Sequence, residues 1–261
     1  MPSIAQIIAA IEERAPLGLQ ESWDNSGVQA GLTDVPCTGV MVAVDHSAEV
    51  VAEAVEAGCN LVVAHHPIIF RPLRRLVGAT SSERAVMAAI RAGVTLYSAH
   101  TSLDNAPEGV SAEMARILGL KDVTPLVPTG ENAGTGAIGL LPGGPMPARD
   151  FIAMVKERFG APVARCSTFD PAMTVEKIAL CGGSGHSFID NAVDAGADLY
   201  LTGDLSYHNF QERHRDILLV DIGHFETEQC TKSIFYHIVT EKFPNFAVRY
   251  SKLEKNTILY L

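Results

Sequence analysis

A thirteen-residue pattern occurs twice in this chain and restricts the folds open to it. Ala54-Val-Glu-Ala-Gly-Cys-Asn-Leu-Val-Val-Ala-His-His66 aligns without gaps on Ala192-Val-Asp-Ala-Gly-Ala-Asp-Leu-Tyr-Leu-Thr-Gly-Asp204, with five identical positions. Each copy reads as a helix end, a Gly that stops it and an apolar run of strand type. Any helix–Gly–strand unit carries part of this pattern. Further on, however, His100 with Asp104 matches His224 with Glu228 in kind and spacing, which favours duplication. The chain is therefore expected to be α/β, with two related α/β subdomains of helix-covered sheet. The halves fall at approximately 1–125 and 126–261, and their strand ends are expected to face a shared cleft.

The flanking residues fill in the elements. Apolar residues at 4, 7, 8 and 11 predict a helix over Ser3 to Arg14, with Ser3 at its N-cap. Gly39 to Asp45 reads as a buried strand, Ser47 to Ala57 as a helix capped by Gly58, and Leu61 to His66 as the next strand. A helix over Ser81 to Ala92 and a strand over Val94 to Ala99 complete strand–helix–strand–helix–strand, the pattern of a parallel sheet. Residues 125–147 are rich in Pro and Gly and read as a loop holding one short strand, Gly136 to Leu141. Beyond it, helices are expected over 148–159, 186–195, 206–213 and 225–242. Strands are expected over 177–181, 199–202, 217–221 and near 246–251.

Composition narrows the class. The chain has 261 residues, 47% of them apolar, enough for a sizeable core. A net charge of −10 argues against nucleic acid or an anionic membrane as partner. Five cysteines, odd in number and without a CxxC pair, argue against a disulfide framework or a thiolate metal site and fit a reducing cytoplasm. The first residues lack the basic start and long apolar stretch of a signal peptide, and no run nears the length of a membrane span.

The chemistry gathers at the strand ends, where α/β proteins place their sites. His65 and His66 close the run Asn60-Leu-Val-Val-Ala-His-His-Pro67. Neighbouring strand side chains point to opposite faces, so both imidazoles serve one site only if the strand ends there; Pro67, with no N–H, makes a turn plausible. Asp104 lies in the loop after strand 94–99, next to a turn-forming Asn105-Ala-Pro-Glu-Gly. His224 and Glu228 stand at i and i+4 around a helix start, on one face, which makes Glu228 a better ligand candidate than Glu226. Read singly, these are a strand cap, a solvated loop acid and a surface helix pair. Read together, two or three His and two carboxylates suit a pair of divalent ions, of borderline or hard type because no Cys lies near: Zn, Fe, Mn, Ni, Co or Mg.

Other features are less distinctive. Cys181-Gly-Gly-Ser-Gly-His186 reads as a tight turn, or as a backbone cradle for phosphate at a helix start. Arg71-Pro-Leu-Arg-Arg75 is a basic run, either a solvated face or an attractor for an anionic substrate. His100, His208 and Asp204 are candidates for acid–base work or for orienting metal ligands. Asp45 and His46 follow a strand end, as a helix cap or as lining of the same cleft. Trp23-Asp24-Asn25 reads as a structural turn or as a rim.

His65-His66-Pro67, His100-Thr-Ser-Leu-Asp104, Thr202-Gly-Asp204 with His208, Gly223-His224 with Glu228, and Trp23-Asp-Asn-Ser-Gly-Val-Gln-Ala-Gly31 together resemble the Nif-three-like dinuclear metal centre family. Its bacterial members are called GTP cyclohydrolase I type 2 homologues. The resemblance runs over nearly the whole chain. It implies a single family domain over 1–261, with metal ligands at His65, His66, Asp104, His224 and Glu228, and Glu228 as the bridge. It also implies two divalent ions per subunit in the cleft between the halves, and a toroidal homohexamer. The chain has Asp204 where the family more often has Glu, which puts a role for that acid in doubt. The span between 125 and 175 is too short for the extra domain some members carry. The expected function is metal-dependent hydrolysis of a small molecule, a nucleotide or related heterocycle, with His100 or His208 relaying the proton. The rival expectations are a non-catalytic metal-buffering or regulatory scaffold, and a module that binds a small anion through its metals.

Overall fold

The computed structural model describes residues 1–130 and 132–261, and the chain divides into two compact units, each with its own sheet covered by helices. The first comprises Met1–Ala106 and Thr231–Thr257. Its sheet has the order β1 (Gly27–Ala30), β4 (Thr95–Ser98), β3 (Leu61–Ala64), β2 (Val40–Ala43), β13 (Val248–Tyr250). All neighbours are parallel except β1, which runs antiparallel to β4. Every residue of β2, β3 and β4 is buried, as a sheet covered on both faces requires. One face packs Met41, Ala43, Val62, Ala64 and Leu96 against Val50, Val51 and Ala54 of α2 (Ala48–Glu56) and Ala89 of α3 (Ser81–Ala92). The alternate residues point the other way, where the Tyr97 hydroxyl donates to Glu12 on α1 (Ile4–Arg14) at 3.2 Å. α1 itself packs on α10 (Thr231–Lys242).

Local chemistry sets the helix limits as expected. Ser3 and Gln6 form a capping box at α1, Ser47 caps α2, and Gly93 ends α3 in the left-handed conformation at φ 67°.

The second unit comprises Pro107–Cys230 and Ile258–Leu261. Its sheet has the order β5 (Lys121–Pro128), β6 (Gly134–Leu140), β10 (Lys177–Ser184), β11 (Leu199–Gly203), β12 (Leu218–Asp221), β8 (Arg165–Cys166). β10, β11 and β12 are parallel, as β2, β3 and β4 are in the first unit, and in both units an antiparallel strand flanks the third. α5 (Val110–Leu118), α6 (Ala148–Phe159), α7 (Ile189–Asp194) and α8 (Tyr207–Arg213) belong to this unit, with a short ribbon of β7 (Met146–Pro147) and β9 (Thr174–Val175). No helix among the described residues is long and apolar enough to cross a membrane.

Three sequence expectations need correction. The division at residue 125 is wrong at both ends. α5 and β5 belong with the second sheet, and the C-terminal segment returns to the first, where β13 continues the parallel ladder on β2. The helix expected over 225–242 is two, α9 (His224–Glu228) and α10. The strand expected over Gly136 to Leu141 is β6, but the loop placed before it is part of a hairpin, since β5 pairs antiparallel with β6. Prolines are tolerated in β5 because it is an edge strand. The glycines of β6 admit its close neighbour, since a Cβ on Gly134 would stand 2.3 Å from the Val127 carbonyl oxygen.

Candidate metal centre

Histidines and acids of the first unit gather where β2, β3 and β4 end. The Val44 carbonyl, just past β2, accepts from both the His65 and the His66 N–H at 3.0 Å. Two successive amides on one carbonyl break the pleat, so the two side chains no longer alternate, and their ring centroids come within 5.0 Å. The His65 ring is fully buried, and its Nδ1 donates to the Ala99 carbonyl at 2.9 Å. Its Nε2 faces Asp104 Oδ1 at 3.6 Å. His66 Nδ1 donates to Asp45 at 2.8 Å. His100 precedes α4 (Thr101–Asp104), whose turn carries Asp104 back to the His100 carbonyl at 3.0 Å. Its ring lies 5.2 Å from His65 and 5.4 Å from His66. One ring nitrogen from each of His65, His66 and His100 lies within 4.8 Å of the others, a group able to hold a metal ion.

Asp24 anchors this cluster. Its fully buried carboxylate accepts from His100 Nδ1 at 2.8 Å, Thr101 Oγ1 at 2.6 Å, the Thr101 amide at 3.1 Å and Ser26 Oγ at 2.8 Å. Burial opposes its ionisation, yet these donors prevail and hold the carboxyl well below the usual range. Exposed Trp23 and Phe70 stand edge-on to the His100 ring, at 6.0 and 6.3 Å. His46 is buried 2.9 Å from Ser98 Oγ, whose hydroxyl donates to the His66 carbonyl at 3.0 Å. Burial pushes the His46 imidazole down to about 4, so it is neutral at pH 7.

The second unit repeats the device at the ends of β11 and β12. His224 opens α9 and donates through Nδ1 to Asp204 at 2.7 Å, while its Nε2 lies 3.0 Å from the buried Glu228. Asp204 follows β11 directly and lies in the left-handed region, φ 57°. Asp221 fixes both loops: it accepts from the Leu205 and Gly223 amides at 2.8 and 2.9 Å and is paired with Arg165. Glu228 has room only because residue 183 is Gly. A Cβ there would sit 2.2 Å from Glu228 Oε1 and 3.2 Å from His224 Nε2. A Cβ on Gly223 would likewise sit 2.2 Å from Glu226 Oε2.

The sequence-predicted residues thus fall into two sets, His65, His66, His100 and Asp104 in one unit and His224, Glu228 and Asp204 in the other. His208 stands exposed on α8 with its ring against Tyr207 at 5.5 Å, and joins no potential metal-holding group among the described residues. The doubt about Asp204 is removed as to contact, since the shorter acid reaches His224 directly. The phosphate-cradle reading of residues 181–186 fails. β10 runs to Ser184, and the Gly183 and Gly185 amides donate to Thr227 and Thr202 hydroxyls at 2.9 and 3.0 Å. Arg71, Arg74 and Arg75 lie exposed on the loop after β3. Sequence reasoning missed Asp24 and Asp45 as histidine partners; the signal available was that Asp45 follows its strand as His66 follows the next.

The donor set fits a divalent ion. All four imidazoles spend Nδ1–H on a carbonyl or carboxylate, which leaves the Nε2 lone pair as the ligand. Metal–ligand bonds of about 2.1 Å set ligand–ligand edges of about 3.0–3.4 Å. The 3.0 Å between His224 and Glu228 falls in that range, and the 3.6 Å between His65 and Asp104 lies just above it.

A family model described as Duf34/NIF3 (NGG1p interacting factor 3) matches residues 2–257. A "GTP cyclohydrolase 1 type 2 homolog" of Streptomyces coelicolor is 36% identical over 235 residues, 87% of this chain and 82% of that protein. One of the same description from Streptococcus pneumoniae is 33% identical over 225 residues, 85% of this chain and 84% of that protein. The crystal structure of a hypothetical protein of Staphylococcus aureus matches with a TM-score of 0.91 at 26% identity over 99% of each chain. A Bacillus cereus protein related to NIF3 shares the fold with a TM-score of 0.90, at 23% identity, over 100% of this chain and 99% of that one.

Proposed function

The chain belongs to the Duf34/NIF3 family, and we propose that it is a metal-dependent hydrolase acting on a nucleotide or related heterocycle. The observation that carries this reading is the uniform tethering of four imidazoles through Nδ1, which turns every Nε2 into a ligand or a proton acceptor. In the reading, His65, His66, Asp104, His224 and Glu228 would hold two divalent ions. Bound there, the ions supply a water acidic enough to ionise near neutral pH.

The chain's own residues do the rest. Asp24 fixes His100 with Nε2 unprotonated and stabilises the cation formed when that atom takes a proton, so His100 is the acid–base group assigned here. Trp23 and Phe70, 58% and 47% exposed beside that ring, offer a stacking wall for a flat heterocycle. The three arginines after Phe70 supply positive charge for a phosphate. The relatives' description makes guanine nucleotides the first compounds to try. Assembly as a homohexamer in a reducing cytoplasm, where its five free cysteines stay reduced, belongs to the same reading.

The test is a screen of metal-loaded protein against nucleotides and cyclic amides. We expect turnover that falls at least about 100-fold in His100→Ala. In Trp23→Ala, KM should rise about 10-fold with kcat nearly unchanged, as loss of one stacking contact predicts. Metal-loaded protein that turns over none of these compounds contradicts the hydrolase and leaves a metal-holding scaffold.

A further inference from the structure

We propose that Glu254, which lies outside every ligand set above, is the positioning residue that aims His66 at a metal ion; the claim rests on the metal reading of that histidine. The β2–β13 ladder ends where the Ser251 amide donates to the Val42 carbonyl at 3.0 Å. Beyond it the Glu254 side chain takes over. Its Oε1 accepts from the Val44 and Asp45 amides, both at 2.6 Å, and its Oε2 pairs with Lys232 at 3.1 Å. The carboxylate is buried, 4% exposed, and its turn is gathered by Glu53, which accepts from Ser251 Oγ, the Lys252 amide and the Leu253 amide.

The consequence follows from one planar peptide. The Val44 carbonyl and the Asp45 N–H belong to the same rigid unit. Its oxygen accepts from the His65 and His66 amides, and its nitrogen donates to Glu254. The side chain that leaves this peptide, Asp45, then holds His66 Nδ1. That carboxylate is 56% exposed, so packing confines it little, and the backbone it leaves from is held by Glu254.

The experiment compares wild type, Glu254→Ala and Glu254→Gln by zinc titration calorimetry, and by nitrogen NMR of the His66 ring in metal-free protein. Removing an orienting partner of a metal ligand typically weakens binding about 10- to 100-fold, and Glu254→Ala should fall in that range. Its His66 ring should pass from a single Nδ1–H tautomer to a mixture. Glu254→Gln keeps an oxygen for both amides and should restore the tautomer and most of the affinity. Should Glu254→Ala not fold, Glu254→Asp, one methylene short of the amides, carries the same test in weaker form. A folded Glu254→Ala or Glu254→Asp with wild-type zinc affinity and an unchanged His66 ring overturns the proposal. If wild type binds no zinc, the metal reading fails, while the metal-free spectra still decide whether Glu254 sets the His66 ring.

Discussion

Gly183→Ala is expected to destabilise the protein by about 2–5 kcal/mol and to weaken zinc binding at least about 100-fold. Two costs combine. Gly183 lies at φ +62°, where an L side chain costs about 1–2 kcal/mol. The new methyl would also stand 2.2 Å from Glu228 Oε1, so the carboxylate must leave its place, at an overpacking cost of about 1–3 kcal/mol. Glu228 lies 3.0 Å from His224 Nε2, so its displacement takes one ligand from the other. Gly93→Ala is the control. That residue has φ +67° with nothing within 4 Å of a Cβ, so it should lose only the backbone share and keep full zinc affinity. Denaturant midpoints and zinc titrations of the two variants read the difference. A Gly183→Ala protein that binds zinc as wild type does would show that Glu228 is not a ligand.

Asp24→Ala is expected to cost about 3–5 kcal/mol, the usual penalty for removing one partner of a buried charged network. The carboxylate is fully buried and serves His100, Thr101 and Ser26 at once. Its folded-state pKa is depressed, so its contribution is present above the unfolded value of about 3.9 and is lost as pH falls through that value toward the folded one. Wild type should therefore lose its advantage over Asp24→Ala progressively below about pH 4 and keep it in full at neutral pH. Urea midpoints of both proteins between acid and neutral pH test this. A constant difference across that range would mean that the carboxylate is not held ionised by its donors.

Much of the fold could be read locally. α3 and α6 begin and end where periodicity placed them, because the Thr80 cap and the left-handed glycines 93 and 160 act on their own neighbours. What escaped the sequence depends on distant partners. Nothing in Val248–Tyr250 says that it pairs with β2 rather than with the second sheet. The strand expected over 136–141 is β6, but its partner β5 was hidden because Pro usually marks loops, and only an edge position explains its prolines. The site divides the same way. His65 and His66 stand out because they close an apolar run, and His224 because it stands four residues before Glu228 at a helix start. Asp24 and Asp45 do not, because they meet His100 and His66 across 76 and 21 residues of chain. The Gly-rich turn at 181–186 misled for a related reason. Gly183 is needed for the space that Glu228 fills, and the Gly183 and Gly185 amides are spent on the Thr227 and Thr202 hydroxyls rather than on phosphate.

The histidine–carboxylate sets are expected to act as metal ligands. Elemental analysis of the purified protein, dialysed against zinc and then against metal-free buffer, measures this. Wild type should retain about two divalent ions per chain, a His65→Ala/His66→Ala variant fewer, and Glu228→Ala fewer. Wild-type protein that retains well under one ion per chain, or variants that retain as much as wild type, would contradict it.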